Sequence, residues 1–66
     1  MTGAEVTRKL RKLGVTYRLA RGSHRLYRIH DCTTVVPMHN RDLPKGTLRK
    51  IERDLEPCLG KKWLTK

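Results

Sequence analysis

Two alternating runs joined by Arg21-Gly22-Ser23-His24-Arg25 constrain this chain more than any other feature. Upstream, Val15, Tyr17 and Leu19 alternate with Thr16, Arg18 and Ala20; downstream, Leu26, Arg28 and His30 alternate with Arg25, Tyr27 and Ile29. A period of two is that of an extended strand with two distinct faces. Gly22 can take the positive φ of a tight turn and Ser23 can bond nearby backbone, so the runs fold back as an antiparallel hairpin. Apolar residues fall on both faces of the second run, which leaves open which side meets the core. His24 stands where the second strand begins, held by the sheet yet close to solvent.

Around this hairpin the chain supplies two helices and a third strand. Thr2-Gly3-Ala4-Glu5 has the pattern of a capping box and predicts a helix from about residue 3 to residue 13. Val6, Leu10 and Leu13 form its apolar stripe, Gly14 its stop, and Arg8, Lys9, Arg11 and Lys12 a mostly solvated basic face. Asp31-Cys32 connects the hairpin to the β-branched strand Thr33-Thr34-Val35-Val36, which Pro37 ends. After a loop from Met38 to Arg41, Asp42 is expected to cap a second helix with Pro44 in its first turn and Leu48, Ile51 and Leu55 buried. Pro57 is expected to end that helix, and Gly46 to let it pack tightly on the sheet. Cys58 to Lys66 reads as a final turn folded back on the core and anchored by Trp63. The fold class is therefore α+β, in the order α-β-β-β-α, as one domain over residues 1–66. It has a three-stranded antiparallel sheet with both helices on one face, the arrangement of double-stranded-RNA-binding domains.

Size and charge narrow the function. A chain of 66 residues buries only about 60% of its unfolded surface, and with no Phe its core rests on Leu, Val and Ile. Sixteen Lys and Arg against six Asp and Glu, a net +10, imply a polyanionic partner, of which nucleic acid is the commonest. No apolar run approaches the ~20 residues that span a bilayer, and no basic helix carries the apolar face of a membrane-surface helix. The first residues lack the charged start and apolar block of a secretory signal, so a cytoplasmic location is expected. Cys32 and Cys58 are then read as two separate reduced thiols, partly buried. With no Cys-x-x-Cys pair, neither a metal centre nor another cofactor is expected.

Three motifs carry a resemblance. Gly22-Ser23-His24, then Val35-Val36-Pro37-Met38-His39-Asn40, then Asp42-Leu43-Pro44-Lys45-Gly46-Thr47-Leu48 resemble, in order and spacing, the HicA toxins of bacterial toxin–antitoxin pairs. The resemblance covers roughly residues 4 to 56. It implies a small endoribonuclease with a double-stranded-RNA-binding-domain-like fold that cleaves mRNA without a metal and is silenced by a HicB-type antitoxin. It also implies that His24 is the catalytic histidine. Two departures stand out: Asp31-Cys32 replaces the longer turn often seen between the second and third strands, and the segment after Pro57 matches nothing in the family pattern.

The chemistry is consistent with these residues. RNA carries its own nucleophile, the 2′-hydroxyl, so a metal-free ribonuclease needs a proton acceptor, a phosphate clamp and an in-line geometry. Histidine, with an ordinary pKa of about 6.5, suits the first role. Arg21 and Arg25 are placed to favour its neutral form and hold the phosphate. Ser23 finishes the turn or orients His24, His39 binds substrate or braces the hairpin, and Lys45 opens the second helix as a phosphate contact. Water, Tyr27 or His39 can supply the general acid. The alternative is a non-catalytic RNA-binding module of the same fold, although recognisers of RNA helices span about 16 base pairs and this sheet is short. A small DNA-binding or ribosome-associated protein rests on charge alone, because three strands separate the helices and exclude a helix-turn-helix.

Overall fold

The computed structural model describes residues 1–22, 24–38 and 41–65. Its elements run α1 (Gly3–Lys12), β1 (Thr16–Leu19), β2 (His24–Ile29), β3 (Cys32–Pro37) and α2 (Lys45–Leu59), with an antiparallel sheet ordered β1-β2-β3. This is the α-β-β-β-α order that the periodicity predicts.

α1 starts where the capping box places it. The Glu5 amide donates to the Thr2 hydroxyl, and the Glu5 carboxylate accepts from the Thr2 amide. Hydrogen bonds from the Thr2 backbone and then its side chain hold the Glu5 carboxyl below its ordinary range, helped by nearby positive charge. Its contribution to stability is therefore present above the ordinary Glu pKa and lost as pH falls through the depressed value. Thr2→Ala is expected to cost about 1 kcal/mol in urea denaturation at neutral pH, and Glu5→Gln to flatten the acid limb of the stability curve.

Register decides the question that the sequence leaves open. Tyr27 and Ile29 of β2 and Cys32, Thr34 and Val36 of β3 lie on the covered face, where they join Val6 and Leu10 of α1 and Ile51 and Leu55 of α2 in one core. His24, Leu26, Arg28, Thr33 and Val35 belong to the opposite, open face. Both helices pack over β3. Of the β1 run, Val15 alone is buried; Tyr17 is 47% and Leu19 76% exposed. The half-buried strand expected there is thus an edge strand that the helices do not reach. Leu13, expected in the stripe of α1, caps the helix and is exposed, and Thr7 is buried in its stead, its hydroxyl donating to the Ala4 carbonyl. Gly3 allows α1 to sit against the end of β3, since a Cβ there would overlap the Pro37 carbonyl oxygen.

Four further expectations are corrected. Asp42 does not cap α2: the N-cap is Pro44, and Asp42 forms an isolated antiparallel bridge with Thr2. That bridge, together with the Leu43 amide donating to the Met1 carbonyl, uses the segment to tie the approaches of the two helices together. Pro57 does not end α2, which runs on to Leu59. The last turn is held by Cys58 and Leu59 packing on the core and is closed by Gly60 at φ 95°. Gly46 is not a packing glycine, because a Cβ there would meet nothing within 4 Å. Cys32 and Cys58 are not separate thiols: their Cα atoms lie 6.3 Å apart and the two residues form a disulfide that ties the start of β3 to the end of α2. Two residues 26 apart in sequence close a loop whose entropy is worth about 3.5 kcal/mol. Dithiothreitol is expected to lower unfolding stability by about that much, and a Cys32→Ser/Cys58→Ser variant to lose its response to the reductant.

The C-terminal turn folds back as the sequence predicts. Trp63 is 3% exposed, and its indole N–H donates to the Glu52 carbonyl at 2.8 Å.

Candidate active site

The β1–β2 turn positions the histidine through backbone bonds. The Ala20 amide donates to the His24 carbonyl at 2.9 Å, the His24 amide donates to the Arg21 carbonyl at 3.1 Å, and Gly22 has φ 60°. The Nδ1 of His24 lies 3.1 Å from the same Arg21 carbonyl. A carbonyl oxygen can only accept, so in this contact Nδ1 carries the proton and Nε2 is the basic nitrogen. His24 is half-buried at the first position of β2, opposite Pro37. The turn thus fixes both the place of the ring and its tautomer.

The other sequence-derived residues are distributed more widely. Arg21 meets His24 through its backbone carbonyl, with its side chain exposed. Arg25, next along the strand, projects to the opposite face, where its guanidinium carbon lies 4.3 Å from the centroid of the Tyr17 ring. The structure therefore does not place the Arg25 guanidinium beside the His24 ring. Lys45, the first residue of α2, lines a separate groove with Met1, Leu48, Arg49 and Leu64. Ser23 and His39 lie outside the described residues. Tyr27, one of the three candidate acids, is 2% exposed in the core on the helix side of the sheet, where it cannot reach a phosphate beside His24. Among the described residues, no three His, Cys, Asp or Glu side chains are grouped to hold a metal ion.

Sequence reasoning missed the surroundings of Arg25. Tyr17 pairs with Tyr27 across the sheet, their ring centroids 5.3 Å apart, and its exposed ring carries Arg25. The signal was present in the alternation, since Tyr17 and Arg25 share a face as soon as the hairpin register is drawn.

Residues 3–56 match the family model described as the HicA toxin of bacterial toxin–antitoxin. The chain belongs to the HicA toxin family. No match is found among curated proteins. Membership makes this chain a toxin whose counterpart is an antitoxin. The HicA match ends at residue 56, before Cys58, Trp63 and Leu64, which complete the core and its disulfide here. No helix among the described residues is long and apolar enough to cross a membrane.

Proposed function

We propose that this HicA-family toxin is a metal-independent endoribonuclease that cleaves mRNA, with His24 as its general base. The observation that carries the reading is the contact between Nδ1 of His24 and the Arg21 carbonyl, because it holds the ring at the end of the sheet with Nε2 as the basic nitrogen. Nε2 takes the proton of an RNA 2′-hydroxyl, and that oxygen attacks the adjacent phosphorus. The bond from phosphorus to the 5′-oxygen breaks, and water protonates the departing oxygen. The products are a 2′,3′-cyclic phosphate and a 5′-hydroxyl end.

Arg21 holds the scissile phosphate from the turn, and Arg25 and Lys45 bind phosphates farther along the strand. A dedicated acid is not needed for turnover, but its absence makes the enzyme slow, since one acid or base partner is worth about 10²–10⁴-fold. The toxin acts in the cytoplasm, where its mRNA substrate is and where cellular thiols would hold the Cys32–Cys58 bridge open, and its inhibitor is a HicB-type antitoxin with an acidic surface matching the net charge of +10. The test is to identify the RNA ends left after incubation in EDTA. Cyclic phosphates are expected, and 3′-hydroxyl ends would reject the 2′-hydroxyl route.

A further inference from the structure

Two grooves run along α1 on the helix side of the sheet. One, of about 450 Å³, is lined by Thr7, Arg11, Thr16, Tyr17 and Arg25 among others. The second, of about 300 Å³, is lined by Ala4, Arg8 and Met38 together with Thr7, Arg11 and Arg25. Because they share three residues, they form one trench between α1 and the β1–β2 hairpin. Its Met38 end is the end of the sheet at which His24 pairs with Pro37.

From this trench we infer that the protein holds a segment of single-stranded RNA there, with phosphates on Arg8, Arg11 and Arg25 and a base stacked on the Tyr17–Arg25 pair. The inference rests on the ribonuclease reading above and adds a binding site remote from the reacting phosphate. Three arginines from two elements converge, with Arg8 and Arg11 three apart on one helix face, and no Asp or Glu is among the described residues that line the trench. Glu5, the one acidic residue of α1, is committed to the Thr2 cap. Convergent guanidinium groups without a carboxylate repel one another until a polyanion neutralises them, and guanidinium matches phosphate geometry.

The aromatic component selects the kind of polyanion. Tyr17 is 47% exposed on an edge strand that no helix covers, and the Arg25 guanidinium carbon lies over its ring, 4.3 Å from the centroid. Unpaired bases stack on aromatic rings and on guanidinium planes, whereas an acidic peptide has no use for such a surface. A duplex fits poorly, because its recognisers span about 16 base pairs and the longest dimension of this molecule is 27 Å. A single strand laid along the trench would leave it at the Met38 end, the end of the sheet that carries His24 on the opposite face, so that the strand would have to pass around that end to reach the cleavage site.

The test uses the full chain carrying His24→Ala, so that RNA is not consumed, and a fluorescein-labelled single-stranded RNA read by anisotropy over a salt series. Arg8→Gln/Arg11→Gln is expected to weaken binding at least ~10-fold and to flatten the log–log salt slope by about 1.4 for two lost phosphate contacts. Tyr17→Ala is expected to weaken it by roughly 5- to 100-fold, and Tyr17→Phe to restore it. Arg18→Gln/Arg28→Gln, on the open face, is expected to change affinity far less. Unchanged binding in the trench variants, with loss in the open-face variant, would overturn the inference and move the RNA to the other face. Trench variants that bind RNA normally but lose an acidic protein partner would overturn it in favour of a protein site. In either case, cleavage by the parent leaves the ribonuclease standing; a parent that neither binds nor cleaves RNA ends both.

Discussion

His24→Ala is expected to lower RNA cleavage by about 10²–10⁴-fold and to abolish growth arrest in cells expressing the chain. The fold should survive. His24 is half-buried at the start of β2 and absent from the core, and the backbone bonds joining it to Ala20 and Arg21 do not need its ring. The variant gives up the hydrogen bond from Nδ1 to the Arg21 carbonyl, worth about 1 kcal/mol. RNA affinity should change little, because the arginines that bind phosphate remain. His24→Gln separates the two roles of the ring: its amide can donate to the Arg21 carbonyl as Nδ1 does, yet it has no basic nitrogen. Cleavage assays, thermal melts and anisotropy on the three proteins are expected to show two folded, RNA-binding, inactive variants. A folded His24→Ala protein that still arrests growth would contradict the assignment.

Trp63→Ala is expected to destabilise the protein by about 3–5 kcal/mol, the largest single-residue effect in this chain. Domains of this size are stable by only roughly 3–10 kcal/mol, so much of the variant is unfolded at physiological temperature. The effect has two parts. The indole is 3% exposed among Leu64, Ile51 and Leu55, so truncation leaves a cavity in a core without any Phe. Its N–H also donates to the Glu52 carbonyl, a tie between the C-terminal turn and α2 that is lost with the ring. Urea denaturation measures the loss, and Trp63→Phe, which keeps most of the apolar volume, is expected to recover the larger share. A Trp63→Ala protein within 1 kcal/mol of the wild type would mean that residues 57–65, although outside the HicA match, do not complete the core.

Local chemistry made much of this fold legible. The Thr2/Glu5 box fixes α1 by its cap, the alternation on either side of Gly22 and the stripe Leu48, Ile51, Leu55 fix the hairpin and α2 by period, and each element forms where those signals lie. The errors came from long-range effects. No periodicity tells that the helices lie over β3 and leave Tyr17 and Leu19 exposed, or that Asp42 finds Thr2 before it can cap α2. Pro57 has the chemistry of a terminator, since its missing N–H costs a helix bond, but tertiary contacts of Cys58 and Leu59 hold the last turn. The disulfide was hidden for a related reason: 26 residues separate its cysteines, and the crossing from β3 to α2 alone brings them together.

The candidate site was legible in part. Its histidine followed from the turn, whose carbonyl also orients the ring. The assumption that sequence neighbours are neighbours in space failed for Arg25, because adjacent residues in a strand point to opposite faces. That same alternation put Arg25 against Tyr17 and made it part of the trench beside α1. The Thr34 hydroxyl likewise donates to Asp54 at 3.0 Å, with Lys50 on the same carboxylate oxygen, and this polar tie between β3 and α2 had no signature in either segment alone.

The most direct test of the central claim is a time course of one single-stranded RNA with the wild-type protein and with His24→Ala, in EDTA, following bound and cut RNA in the same samples. Cleavage by the wild type alone, leaving cyclic phosphate ends while both proteins bind, is the expected result. Equal cleavage by the two proteins would remove His24 from the chemistry, and binding by both with cleavage by neither would make this chain a recogniser of RNA and not a ribonuclease.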